Sequence, residues 1–426
     1  VAAPESEGND VGRPYPFEIG LFEKLGVELE YMIVDRDTLD VRPIADEILR
    51  EVSGDDSGDA YPDGEDALVS WSNELVLHVI EMKTTEPTSD LERAAATFQE
   101  HTRRINSLLA SRNAMLMPGA MHPWIDPNRE MKLWPHAYGK VYAAFDSIFG
   151  CTGHGWANLQ STHINLPFRD DDEFGRLHAA IRLALPLIPA LAASSPVMDG
   201  HVSGLMDNRL EVYRKNSRRV PLVAAKVIPE RVFTREEYEG GLLRRLYEQI
   251  APLDPEGTLQ FEWLNARGAI ARFDRGSIEI RVVDIQECPV ADCAIVALIA
   301  GVVKALSEER WSSTSAQREV EVEPLHDVLL SCIRDAERAT VDHAPLLRAL
   351  GIGAASISAG ELWRDMASRV IEKGSMWERP LGMIFERGSL ARRIVAKTGD
   401  LPVRERLIEV YRELCACVQE GRMFGA

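Results

Sequence analysis

This sequence has no glycine-rich phosphate cradle. GxxxxGK[ST] and GxGxxG are both missing, as are HExxH and GxSxG. If a nucleotide is used, metal ions and arginines must hold it in place of a P-loop. Cysteine is scarce, with six residues in 426 and no CxxC pair, which excludes a disulfide scaffold. Cys415 and Cys417 fall in a helical-looking segment and read as buried free thiols. No run of 18 apolar residues and no N-terminal apolar h-region is visible, so no membrane association is expected and the cytoplasm is the expected location. Positive charge is in short supply. Lys and Arg total 48 against 67 Asp and Glu, a net charge of −19. So acidic a surface disfavours nucleic-acid phosphates and anionic membranes. An anionic small molecule would need local arginines or bound cations.

What is present is ordinary in bulk. A hydrophobic content of 45% and a charged content of 27% suit a globular chain. The length fits two or three average domains, or one large α/β or α+β catalytic unit. We expect residues 1–13 to be a flexible lead-in and 14–426 one catalytic domain, mostly helical from about residue 289.

The organising stretch is Gly26-Val27-Glu28-Leu29-Glu30-Tyr31-Met32-Ile33-Val34-Asp35. Val27, Leu29, Tyr31 and Ile33 alternate with Glu28 and Glu30, the period of a strand with one face on a core. The two carboxylates then project from the other face, roughly 7 Å apart at the rise of a strand. Either a solvated acidic face or a divalent cation accounts for them. Two further stretches alternate in the same way. In Gln160–Leu166, His163 and Asn165 oppose Thr162 and Ile164; in Gly276–Asp284, Glu279 and Arg281 oppose Ile278, Ile280 and Val282. Between them, Trp71–Lys83 reads as a strand carrying Glu74 and Glu81, whose spacing of seven would put them on opposite faces. Both can serve one site only if Glu74 sits in a turn or a bulge intervenes.

Other segments supply helices and charge. Ser89 and Asp90 should cap a long helix whose apolar side carries Phe98, Ile105 and Leu109, and Pro186 and Pro189 should kink a helix over 170–193. Short strands are expected near 259–264 and 267–273. His122 lies in a turn, Pro118–Trp124. Five cations fall between Arg209 and Arg219, which in so acidic a chain favours an anion site. One-sided alternation points to an antiparallel sheet, with helices on its apolar face and a polar face lined by acids, one His and several Arg. The expected class is therefore α+β: a curved, mainly antiparallel sheet with helices packed on its outer face.

The motifs Gly26-Val27-Glu28-Leu29-Glu30, Glu74 with Ile80-Glu81-Met82-Lys83-Thr84, Met121-His122-Pro123-Trp124, Thr162-His163-Ile164-Asn165, Tyr213-Arg214 and Ser277–Asp284 occur in this order over nearly the whole chain. In them the sequence resembles the glutamate–cysteine ligase type 2 family, carboxylate–amine ligases with a glutamine-synthetase-like catalytic fold. The resemblance implies ATP-dependent formation of a γ-glutamyl amide through an acyl phosphate, with two or three Mg²⁺ ions. Glutamate and an amine such as cysteine would be the substrates. It implies Glu28, Glu30, Glu81, His163 and Glu279 as Mg²⁺ ligands, Arg214 and Arg281 as phosphate or acyl-phosphate contacts, and Asn165 as a further nucleotide or cofactor contact. Glu74, His122 and Arg209 are taken as substrate-binding. The chain departs from the family pattern at Glu74 (usually Asp), Asn165 (often His) and Leu77 (often an acid). Two other readings stand beside it: a non-catalytic or regulatory Mg-ATP-binding protein of the same fold, and a metal-dependent hydrolase. Oligomeric state is left open, a homo-oligomer included. If Glu28 and Glu279 repel their neighbours, Glu28→Gln or Glu279→Gln should leave the metal-free thermal midpoint unchanged or raised.

Overall fold

The computed structural model describes residues 17–425, so the expected lead-in over 1–13 lies outside the described residues. Ten strands matter here: β1 Gly26–Asp35, β2 Asp59–Ala60, β3 Val69–Asn73, β4 Val79–Thr84, β5 Ala114–Met117, β6 Ser161–Pro167, β7 Val197–Met198, β8 His201–Val202, β9 Ala269–Arg272 and β10 Ser277–Asp284. All except the small β7–β8 hairpin join one sheet in the order β2-β3-β4-β1-β6-β10-β9, with β5 pairing the far end of β1. Every pairing in it is antiparallel. The organising stretch is thus central, with β4 on one edge and β6 followed by β5 on the other.

The apolar residues of the alternation face helices. Val27, Leu29, Tyr31, Ile33, Ile164, Ile278 and Ile280 are fully buried in one core. Helix Pro289–Ser307 packs against both Leu91–Ala110 and Asp171–Ala184 over this face. Polar bonds also tie sheet to helix: Thr162 and Tyr31 donate hydroxyl hydrogens to the two carboxylate oxygens of Asp292, at 2.7 and 3.4 Å. Burial pushes the Asp292 carboxyl up to about 8. Asp171–Ala192 and Pro289–Ser307 are long and apolar enough to cross a bilayer, but their apolar stretches are 94% and 78% buried within the protein, as core helices are. The last helix, Arg404–Glu420, lies on β5 and Leu91–Ala110, where Gln99 donates to the Val418 carbonyl at 2.9 Å.

Several expectations are met in detail. Asp90 caps Leu91–Ala110 by accepting from the Arg93 amide. The helix over 170–193 breaks where the prolines fall, into Asp171–Ala184, a 3₁₀ turn Leu185–Leu187 and Ile188–Ala192. Others are corrected. Trp71–Lys83 is a hairpin, with Ser72 opposite Glu81 and Asn73 opposite Ile80. The connection after Asn73 carries Glu74, so the spacing of seven poses no conflict. Residues 259–264 are not a strand but end in a 3₁₀ turn, Glu262–Leu264.

Candidate active site

Residues directly opposite each other in a sheet project from the same face. The register pairs Glu28 with Lys83 on one side and His163 on the other, Glu30 with Glu81, and Asn165 with Glu279. Four strands distant in sequence therefore deliver one polar face. Glu74 joins from the β3–β4 connection, where its carboxylate, that of Glu30 and that of Glu81 have oxygens within 4.8 Å of one another. A second such group is Glu28, Glu81 and His163.

His163 sits at the centre. Its Nδ1 lies 2.9 Å from Glu28 Oε2 and 3.7 Å from Glu279 Oε1, and its Nε2 3.6 Å from Glu30 Oε1. Burial alone would lower its pKa. The hydrogen bond to Glu28 and the charges of Glu30, Glu28 and Glu279 outweigh it and raise it to about 9. Burial pushes Glu28 upward, but the bond and charge of His163 hold it well below the usual carboxylate range. Asn165 Nδ2 donates to its other oxygen at 2.9 Å. Burial likewise raises Glu279, and Arg281 wins by donating from Nε at 2.8 Å, so Glu279 is lowered.

Glu30 and Glu81 behave oppositely. Burial and then the charge of Glu74 raise Glu30 to about 7, although Ser161 donates to it from its amide at 2.7 Å and its hydroxyl at 3.0 Å. Burial and then the charge of Glu28 raise Glu81 to about 8. Ser72 donates to its Oε1 at 2.5 Å, while its Oε2 is buried with no hydrogen-bond partner among the described residues. A buried carboxylate oxygen without a donor is costly. A hard cation taking oxygen ligands would satisfy it, so the donor set fits Mg²⁺, and Glu28, Glu30, Glu81, His163 and Glu279 are the residues that would hold it.

Of three expected contacts, His122 and Arg214 lie away from this face, and Arg209 borders it with its guanidinium already engaged. His122 is buried away from the face; its Nε2 is 2.7 Å from the Leu39 carbonyl, and Asn158 holds its amide. His122→Ala is therefore expected to destabilise the protein by about 1–3 kcal/mol in urea melts while leaving KM for every substrate unchanged. Arg209 is buried and spends its guanidinium inside the fold: Nε donates to Asp284 at 2.6 Å and both Nη atoms to the Arg281 carbonyl. Arg214 turns to Glu211, Nε to Oε2 at 2.7 Å, and lines neither cavity described below. The five cations do not form one anion site. Lys215 also meets Glu211, and Arg219 donates to the Ile148 carbonyl at 2.9 Å.

Cavities flank the acidic cluster. The larger, of about 500 Å³, is bordered by Glu28, Glu81 and Glu279 together with Lys83, Arg272 and Arg275. Arg272 Nη1 lies 3.7 Å from Glu279 Oε2. The smaller, of about 150 Å³, is bordered by Glu30, Glu74, His163 and Arg281 and walled by aromatic rings. Sequence reasoning missed both walls. Lys83 could have been found, because it shares the parity of Glu81 in the same strand; the aromatic wall comes from separate segments without any local pattern.

The fold, a one-sided antiparallel sheet with helices behind it, has a counterpart among solved structures. The structure of the Francisella tularensis glutamate–cysteine ligase in complex with AMP superposes with a TM-score of 0.59, covering 95% of this chain and 90% of that one at 10% identity, a likeness of fold. The sequence profile of glutamate–cysteine ligase family 2 matches residues 24–375, and the chain belongs to that family. Among its relatives, an Archaeoglobus fulgidus protein described only as uncharacterized is 36% identical over 285 residues, 67% of this chain and 75% of that one. A Nocardioides sp. protein described as "Putative glutamate–cysteine ligase 2-1" is 25% identical over 300 residues, 68% of this chain and 70% of that one.

Proposed function

We propose that the protein is an ATP- and Mg²⁺-dependent carboxylate–amine ligase that activates the side-chain carboxylate of glutamate as an acyl phosphate and passes it to an amine, with cysteine as the reference acceptor. The observation that carries this reading is the meeting of Glu28, Glu30, Glu81, His163 and Glu279 on one face, between two cavities, with Glu81 Oε2 left without a donor among the described residues. Family membership supports the same chemistry.

Bound Mg²⁺ would neutralise and orient the triphosphate, the usual role of such ions in phosphoryl transfer. The chain's own groups do the rest. Lys83, Arg272 and Arg275 bring positive charge to the larger cavity, which has the volume for a nucleotide. Arg281, braced through Nε on Glu279, stands beside the acidic cluster where the group in transfer would lie. Charge placed in advance where negative charge builds is the main catalytic lever in such a site. Asn165 fixes Glu28 in place. Arg209 serves Arg281 through its backbone carbonyl instead of touching substrate.

The test is ADP release from Mg-ATP. It should require glutamate and an amine together, and it should stop in EDTA. Mg-ATP binding with no turnover across a broad amine panel would favour the regulatory reading, and hydrolysis without ATP the hydrolase.

A further inference from the structure

The two cavities beside the cluster differ in more than volume. The larger is bordered by cations and holds about 500 Å³; the smaller holds about 150 Å³ and is walled by Tyr138, Tyr142, Phe145, Trp156 and Trp263. The rings brace one another, with Phe145 5.3 Å from Trp156 and 5.7 Å from Trp263 between centroids. Tyr142 is fixed by Asn73, whose Nδ2 donates to its hydroxyl at 3.1 Å.

We infer that this aromatic chamber receives the acceptor amine, and that the amine is a primary ammonium on an aromatic or large apolar body with no carboxylate of its own. The inference rests on the ligase reading. A nucleoside triphosphate does not fit 150 Å³, whereas a single ring with a short amine tail does. The sheet end of the chamber offers the carboxylate of Glu74 to an ammonium. Aromatic faces add attraction for a cation. An amino-acid acceptor such as cysteine would also need a cation for its carboxylate. Among the described residues, two guanidinium groups border the chamber. Arg209 is spent on Asp284 and the Arg281 carbonyl, and Arg281 is braced on Glu279 and assigned to the transferred phosphoryl group. Three buried polar atoms of the wall have no hydrogen-bond partner among the described residues: the Trp263 indole N–H, Asn216 Oδ1 and the Tyr213 hydroxyl. They suit a hydroxyl at the far end of the ligand, as a phenolic amine carries.

In the reaction the ammonium gives one proton to water, and its nitrogen lone pair bonds to the acyl carbon. The carbon–oxygen bond to phosphate breaks, phosphate leaves with that electron pair, and the second nitrogen proton goes to water. Glutamate, amine and ATP thus yield a γ-glutamyl amide, ADP and phosphate.

The experiment compares tyramine, phenethylamine and isoamylamine with cysteine as acceptors, at fixed glutamate and Mg-ATP, by ADP release. The aryl amines should exceed cysteine in kcat/KM at least about tenfold, the scale on which apolar pockets discriminate. Phe145→Ala should erase that preference without changing KM for ATP; should its melting point show misfolding, Phe145→Leu replaces it. In the metal-free protein, phenethylamine should shift tryptophan emission saturably and cysteine should not. Cysteine equal to or better than the aryl amines overturns the inference and leaves the ligase reading standing. Silence with every amine removes the ligase reading and the inference with it.

Discussion

Glu28→Gln is expected to cut ADP release by at least about 100-fold and to lower the metal-free thermal midpoint. The activity loss follows because even groups that only hydrogen-bond to metal ligands are worth about 10–100-fold, and the proposed function makes Glu28 a direct ligand. The stability loss follows from its partners. In the metal-free protein its two oxygens accept from His163 Nδ1 and Asn165 Nδ2, both at 2.9 Å. A Gln amide presents a donor to one of these donors and removes the charge that helps keep His163 protonated. Breaking a buried ion pair costs about 3–5 kcal/mol, and Glu30 and Glu279 nearby should limit the loss to about half of that. Glu279→Gln should fall the same way, since it deprives Arg281 of its brace. These directions reverse the repulsion-based expectation from sequence, because His163 and Arg281 stand between the acids. Differential scanning fluorimetry in EDTA decides; a midpoint that rises in either variant would contradict this geometry.

Relief of repulsion belongs to Glu81 instead. Its folded pKa of about 8 stands above the 4.5 of an unperturbed Glu, first through burial and then through Glu28. Between these values the native state holds a proton that the unfolded chain has lost, so stability falls as pH rises. His163 acts in the same direction: raised from 6.5 to about 9, it stabilises fully below 6.5 and loses that contribution as pH climbs through 9. Metal-free protein should therefore melt at steadily lower temperature from pH 6 to 9, over a range of a few kcal/mol, on the order of 1.4 per pKa unit. Glu81→Gln should flatten the slope and melt higher than the parent at pH 8, keeping an acceptor for Ser72. Mg²⁺ should stabilise the parent more at pH 8.5 than at pH 6, since its ligands must shed protons to bind. A flat profile in EDTA, or equal Mg²⁺ stabilisation at both pH values, would sink this account.

Where alternation was strict, the sequence carried the site's layout. Glu28, Glu30, His163, Asn165, Glu279 and Arg281 fall on the expected face because a period of two leaves no other choice once the apolar partners are buried. The hairpin at Glu74 was hidden because Leu75, Val76 and Leu77 are apolar and carry the strand pattern through the turn. Residues 259–264 also alternate, but the Asp254 carboxylate accepts from the Thr258 and Leu259 amides and coils the chain. Charge in a sequence does not name its partner. Arg209 meets Asp284, 75 residues away, and Arg219 a carbonyl of another helix. His122 looked available for the same reason: a lone histidine says nothing about the Leu39 carbonyl that occupies it.

The register of β10 against β6 slips between Ile280 and Val283, and Arg209 reaches across that irregularity to the carbonyl of Arg281 while gripping Asp284 three residues on. A lysine at 209 has one ammonium where two directions must be spanned at once. Substitutions at 209, 281 and 284 should therefore be tolerated only as a coordinated set, and any attempt to retune Arg281 by evolution or design has to begin from that hidden scaffold.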